Sequence, residues 1–376
     1  MLNVIDYIIK NSLETLVATY SLKMRRHILY PNLVQLMYDQ LETPKNDITN
    51  NCRGLIIDTN TMKVVSFPFT RFSDYNPMGK QTFDFDDCTY WKKLDGSLMT
   101  LYWYDGKWNV ASKGMPDASG QIKGLDITMN DYFWKVWKLK KYELPKFTDH
   151  CYMFEMERPS EDFLVKVSEP NITLIGVRNL KTFKEVSIER AKRELCISWE
   201  CATGKKSTLN DILLELNEVD PIKMEGYVAC DSNFNRLKIK SPQYDNINLL
   251  RTSKFISNEE YIKRKSQIDK DNFRRMCEIV RTNSHKSFLS LDKYKEHTVL
   301  HSTIKTAYKR LQQKLDTLIE YTKTLTGKEL GLKMKDNQNL SGIVFAYQKG
   351  AITDIPAYLR KLEIRKFESL IRGLIK

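Results

Sequence analysis

The chain has 376 residues, with 60 Lys+Arg against 47 Asp+Glu and a net charge of +13. Its 41% hydrophobic and 11% aromatic content exclude a disordered chain, and no stretch approaches the roughly 18 apolar residues a membrane helix needs. The charge has an address: residues 251–376 hold 27 Lys+Arg and 14 Asp+Glu, whereas residues 1–250 hold 33 of each. A neutral part joined to a basic part predicts two domains, 1–250 and 251–376, the second meeting an anionic partner.

The opening Met1-Leu-Asn-Val-Ile-Asp6 has no basic n-region, so no secretory signal is expected. Seven scattered cysteines without a CxxC and five histidines without HExxH or HxH indicate neither a disulfide framework nor a zinc module. The expectation is a soluble, cytoplasmic protein.

Residues 1–50 mix helix-like and strand-like stretches. From 51 to about 240 short β-prone runs dominate: Leu55-Ile-Ile, Lys63-Val-Val-Ser-Phe, Leu98 to Tyr104, Ile172 to Val177 and Gly226-Tyr-Val-Ala. Helical spacing interrupts them at 128–141 and 187–217. After 250 a single proline, Pro356, remains. Ser257-Asn-Glu-Glu260 reads as a capping box opening a helix. Ile304, Tyr308, Leu311, Leu315 and Leu318 form an apolar helical stripe, and Leu359 to Leu374 predict one final helix after Pro356. An α+β domain followed by an all-helical, basic domain is predicted.

Trp91-Lys-Lys93-Leu-Asp95-Gly96 is the most informative segment. Taken alone it is a turn containing Asp-Gly. The strand-like runs 98–104 and 107–113 flank Asp105-Gly106, the preferred two-residue hairpin turn. Pairing 104 with 107 returns Lys113 beside Leu98, so a second cation comes back toward Lys93. A neighbouring positive charge lowers a lysine pKa and makes it a better nucleophile, and Lys93 is expected to gain in this way. Downstream, Lys238 and Lys240 share one face of a predicted strand, an arrangement suited to a phosphate. Glu155 stands between apolar residues in another predicted strand. Arg53-Gly54 precedes a third.

In order, Arg53-Gly54, Lys93-Leu-Asp95-Gly96, Lys113-Gly114, Phe154-Glu155, Glu225-Gly226 and Lys238-Ile-Lys240 resemble the covalent nucleotidyltransferases: RNA and DNA ligases and capping guanylyltransferases. The series is most similar to the single-strand RNA ligases of T-even phages, the RNA ligase 1 type, through Cys52-Arg-Gly54, Ala111-Ser-Lys-Gly114, Val177-Arg-Asn179 and Leu237-Lys-Ile-Lys-Ser241. The resemblance implies an α+β fold, with ATP-grasp-like antiparallel sheets and helices, before an all-α C-terminal domain. It implies an ATP- and Mg²⁺- (or Mn²⁺-) dependent enzyme joining 5′-phosphate and 3′-hydroxyl RNA ends through lysyl-AMP and RNA-adenylate. Lys93 would be the nucleophile, with Lys238 and Lys240 at the α-phosphate. Asp95 and Gly96 would shape its turn, Glu155 hold the ribose, and Glu225 bind the metal or orient the lysine. Arg53, Arg71 and Lys113 would contact phosphates, Tyr38 the nucleotide, and Arg178 would be a similar contact.

One departure stands out. The family usually has Lys/Arg-Phe-Phe-Asn before the nucleophile, and this chain reads Arg71-Phe72-Ser73-Asp74-Tyr-Asn76; the basic residue and first Phe remain, while the second aromatic is Ser. The cations of Lys263-Arg-Lys265, Arg274-Arg275 and Lys309-Arg310 require an exposed basic face. The resemblance makes that domain a holder of single-stranded RNA or tRNA, and implies a separate kinase-phosphatase where ends need preparing. DNA ligases and capping enzymes carry an OB-fold there instead; they and a non-catalytic RNA-binding protein are the alternatives. In Phe133-Trp-Lys-Val-Trp137 the tryptophans are expected to pack inward from an amphipathic helix.

Overall fold

The computed structural model describes residues 2–77, 83–160, 162–250, 258–282 and 286–375. In chain order the first part comprises α1 (Asn3–Asn11), α2 (Leu13–Tyr20), β1 (Leu22–Arg26), β2 (Leu33–Tyr38), β3 (Arg53–Asp58), β4 (Lys63–Ser66), β5 (Ser73–Asp74), β6 (Cys88–Lys93), β7 (Ser97–Tyr104), β8 (Lys107–Ser112), α3 (Met129–Leu139), β9 (His150–Glu157), β10 (Asn171–Asn179), β11 (Glu185–Val186), α4 (Ile188–Glu194), β12 (Gly204–Lys205), α5 (Leu209–Glu218), β13 (Gly226–Asp231) and β14 (Arg236–Lys240). After them come α6 (Pro242–Asn248), α7 (Asn258–Arg281), α8 (Thr298–Thr322), α9 (Gly327–Lys333), α10 (Gln338–Gln348), α11 (Ile355–Lys361) and α12 (Ile364–Arg372), with short 3₁₀ turns between.

Two compact units result. One is Met1–Leu216 with Met224–Lys240; the other is Asn217–Lys223 with Ser241–Lys376. The break therefore falls at 240/241, where the expected boundary stood at 250/251. Ser257 of the expected capping box lies outside the described residues.

Three sheets build the first unit: β1-β2-β3-β4, β11-β10-β9-β7-β8 and β12-β6-β13-β14-β5. The Asp105-Gly106 turn adopts positive φ at both residues (51° and 72°), and it closes β7 on β8 with Tyr104 opposite Lys107 and Met99 opposite Ser112. Both residues in the left-handed region is the twist that matches a two-residue hairpin, and Asp-Gly tolerates it. The core beneath β7, β9 and β10 is aromatic. Phe133 and Trp137 of α3 are fully or nearly buried against Phe154 and Trp199, and Trp134 packs half-buried on the same cluster. The α3 tryptophans thus face inward. The span 187–217 holds two helices, α4 and α5, separated by the edge strand β12.

Every described regular element after Ser241 is helical. On α8 Ile304, Leu311 and Leu315 are fully buried, and the Tyr308 ring meets the edge of Phe367 at 5.4 Å. The expected last helix is two. Leu362 is extended (φ −59°, ψ 144°), and the Glu363 side chain accepts from the Arg365 and Lys366 amides, capping α12 afresh. Lys263, Arg264, Lys265, Lys309 and Arg310 are exposed. No helix among the described residues is long and apolar enough to cross a membrane.

Candidate active site

The site begins where β6 ends. Lys93 is its last residue, and Leu94-Asp95-Gly96 turn the chain into β7. Gly96 passes so close to β9 that an added Cβ would lie 2.4 Å from the Met156 carbonyl oxygen. Only glycine fits there. Its amide donates to Glu155 Oε1 at 3.1 Å. Asp95 Oδ2 accepts from the Leu164 and Val165 amides at 3.1 and 3.0 Å, bracing the turn against the segment after β9.

Antiparallel register places the rest. Lys93 pairs with Gly226, and Gly226 with Lys240; two residues away, Trp91 pairs with Val228, and Val228 with Lys238. Directly opposed residues share a face, so Lys93, Lys238 and Lys240 stand on one side of three adjacent strands. Gly226 leaves the gap between Lys93 and Lys240 open. Its φ is +153°, and an added Cβ would lie 2.2 Å from the Ile239 carbonyl oxygen.

Glu225, buried just before Gly226, accepts from Lys93 Nζ at 2.6 Å. This pair overturns the expected electrostatics of the lysine. Burial works to lower the Lys93 pKa, but Glu225, Glu155 and Asp95 outweigh it, and the pKa is raised. Carboxylates, and not the returning Lys113, set the charge state of Lys93. Burial also raises Glu225 against the pull of Lys93. It pushes Glu155 up to about 7, with Lys93 opposing and Glu225 adding to the rise. Glu155 lies in a central strand, not an edge one.

Above this floor lies a pocket of about 700 Å³, whose walls include Arg53, Phe72, Trp91, Lys113, Val228 and Lys238. The buried Arg53 guanidinium stands 5.0 Å from the Phe72 ring centroid, and its Nη1 has no hydrogen-bond partner among the described residues. Burial holds the pKa of Arg53 below its ordinary value. It does the same for Lys238, with Asp74 pulling upward and Arg53 and Lys240 downward. Lys113 is exposed on the pocket wall, 5.8 Å from the Tyr38 ring centroid.

The remaining sequence candidates fall elsewhere. Arg71 lies over Tyr38 at 4.1 Å and donates to the carbonyls of Thr43 and Gln40. Neither Arg71 nor Tyr38 lines the pocket. Arg178 is buried, ion-paired with Glu185 at 2.7 Å and bonded to the Phe183 carbonyl, and it does not line the pocket. Trp91 and Val228 were missed, although both alternate with recognised residues along their strands. Asp74, ion-paired with Lys238 at 3.6 Å, carried no signal of its own in the sequence.

The described residues contain no group of three His, Cys, Asp or Glu side chains able to hold a metal. The donor set fits a cation arriving on a polyphosphate. Mg²⁺ is commonly bound through one or two carboxylates plus substrate phosphates and waters, and Glu225 could supply the carboxylate.

Comparison with known proteins bears on the same region. The profile of a family described as RNA ligase matches residues 51–244. The chain is 32% identical over 166 residues to an RNA ligase of Rhodothermus phage RM378, covering 34% of this chain and 37% of that protein. It is 23% identical over 329 residues to a protein of Autographa californica nuclear polyhedrosis virus described as a bifunctional polynucleotide kinase/RNA ligase, covering 77% and 42%. The chain thus spans about two fifths of the length of these relatives. Among solved structures, an archaeal ATP-dependent RNA ligase superposes with a TM-score of 0.44 at 13% identity, over 74% of this chain and 83% of that one. An RNA ligase variant of Naegleria gruberi with ATP and Mn superposes at 0.30 and 18% identity, over 42% and 50%.

Proposed function

The chain belongs to the RNA ligase family, of the T-even phage RNA ligase 1 type, and from that premise we propose that it is an ATP-dependent RNA ligase joining 5′-phosphate and 3′-hydroxyl ends. One observation carries the reading: Lys93, hydrogen-bonded to Glu225, shares a sheet face with Lys238 and Lys240, and Lys93 and Lys238 line a pocket together with Arg53 and Lys113.

Lys93 Nζ attacks the α-phosphorus of ATP. A P–N bond forms, the bond to the bridging oxygen breaks, and pyrophosphate leaves. The ammonium must first lose its proton, and Glu225 Oε2, 2.6 Å away, is placed to take it. Lys238 and Lys240 offset the charge that builds on the α-phosphate, and Arg53 and Lys113 offset that of the leaving group. A Mg²⁺ or Mn²⁺ ion held by the phosphates, with Glu225 as its carboxylate only while that group is ionised, would add Lewis-acid stabilisation. Glu155, with a pKa near 7, both donates to and accepts from ribose hydroxyls at neutral pH. AMP then passes to an RNA 5′-phosphate, and a 3′-hydroxyl displaces it to seal the strand.

The basic second unit holds the RNA, with broken tRNA anticodon loops as the first substrate to test. The kinase activity named in the baculovirus relative supports an end-preparing polynucleotide kinase-phosphatase as a partner for a chain of this kind. A phage source would place this chemistry in the cytoplasm of the infected bacterium. Incubation with α-labelled ATP and Mg²⁺, followed by denaturing electrophoresis, tests the mechanism. Label is expected on the native chain and absent from Lys93→Ala; label surviving in that variant, or arriving from GTP in place of ATP, would sink it.

A further inference from the structure

Asp74 is ion-paired with Lys238, a lysine of the candidate phosphate site. Strand β5 is two residues long and runs parallel to β14, with Ser73 opposite Leu237 and Asp74 opposite Lys238. The Tyr75 amide donates to the Lys238 carbonyl at 2.7 Å, and Lys45 Nζ donates to Ser73 Oγ at 3.2 Å. The segment is therefore pinned to the strand that carries Lys238 and Lys240. Asp74 Oδ1 lies 3.6 Å from Lys238 Nζ. The lysine side chain is 25% exposed and the aspartate 62%. The aspartate thus reaches the ammonium from the solvent side, while the aromatic face of Phe72 lies 5.0 Å from it.

We propose that Asp74 is an internal competitor for the phosphate site, a residue that occupies Lys238 until a phosphate displaces it and that keeps polyphosphate binding weak. This rests on the nucleotide reading of the pocket. The physical argument is that an ammonium cannot serve two anions at full strength. A phosphate arriving at Lys238 must break or share the Asp74 pair, and the displaced carboxylate remains close enough to repel it. An asparagine there has neither effect. Repulsion grows with ligand charge, so ATP and pyrophosphate are weakened more than a phosphate monoanion. The benefit is on the product side, since pyrophosphate that binds weakly leaves before it can reverse the adenylylation.

The test uses the full chain and Asp74→Asn, which keeps the shape and removes the charge. The dissociation constant for inorganic pyrophosphate, read by calorimetry, is expected to fall about tenfold, as is the KM for ATP in self-labelling, with kcat nearly unchanged. In a Lys238→Met background the same change should give a much smaller gain, because the contested ammonium is gone and only through-space repulsion remains. Unchanged or weaker pyrophosphate binding in Asp74→Asn would overturn the proposal, as would a gain of equal size without Lys238. A native chain that never takes label from ATP would defeat the ligase reading while leaving the pyrophosphate measurement to decide this one.

Discussion

Gly96→Ala is the sharpest perturbation of the site, because its consequence can be worked in ångströms. The new methyl carbon would sit 2.4 Å from the Met156 carbonyl oxygen and 2.9 Å from its carbon, where ordinary contact begins at 3.4 Å. Met156 cannot yield. It lies in β9, paired with Ser97 on one side and Ile172 on the other. The 94–97 turn must therefore retreat by about 1 Å, stretching the 3.1 Å bond from its amide to Glu155. Overpacking costs about 1–3 kcal/mol, and losing a hydrogen bond to a carboxyl group adds about 1–3. Lys93 moves with the turn, and a 1 Å misplacement of a reacting group costs about 100-fold in rate. Single-turnover transfer from α-labelled ATP at saturating nucleotide should fall by about that factor, in a variant shown by circular dichroism to be folded. Labelling within threefold of the native rate, with an unshifted unfolding midpoint, would refute the claim that the turn is seated against β9.

Two further outcomes concern the carboxylates. Glu225→Gln removes the charge that most supports the Lys93 ammonium, so burial should draw its pKa down. Competitive acetylation at pH 8, read by mass spectrometry, should then modify Lys93 about tenfold faster for each unit of fall; equal reactivity in both proteins would show that Glu225 does not govern the lysine. Glu155 keeps its proton up to about pH 7 in the folded chain but only to about 4.5 when unfolded. Its contribution is fully present below 4.5 and is lost as pH rises through 7, amounting to about 3 kcal/mol. Glu155→Gln should flatten the decline in urea stability between pH 5 and 7.5, and an identical decline in both proteins would discard that pKa.

The sequence carried the parts of the fold that local chemistry decides. The Asp105-Gly106 hairpin and its register were readable because two residues of positive φ leave few alternatives. The shared face of Lys238 and Lys240 followed from strand alternation. What escaped depended on distant partners. The proton held on Lys93 is fixed by Glu225, 132 positions away, and no local pattern joins the two. Arg71 and Arg178 matched motifs, and their bonds to carbonyls and to Glu185 appear only in the folded chain. The break at Leu362 turns on one side-chain cap, which an apolar stripe conceals.

The row Lys93, Gly226, Lys240 has a consequence for how such a chain can change over time. Lys93, Lys238 and Lys240, the lysines proposed for catalysis, are aligned by the hydrogen-bond ladder of β6, β13 and β14, not by the shape of their side-chain neighbours. Substitutions around the pocket leave that ladder in place. An insertion or deletion of a single residue within any of the three strands does not, because a slip of one position turns every later side chain to the opposite face. Length variation is therefore expected in the connecting loops, while the lengths of these three short strands should stay fixed.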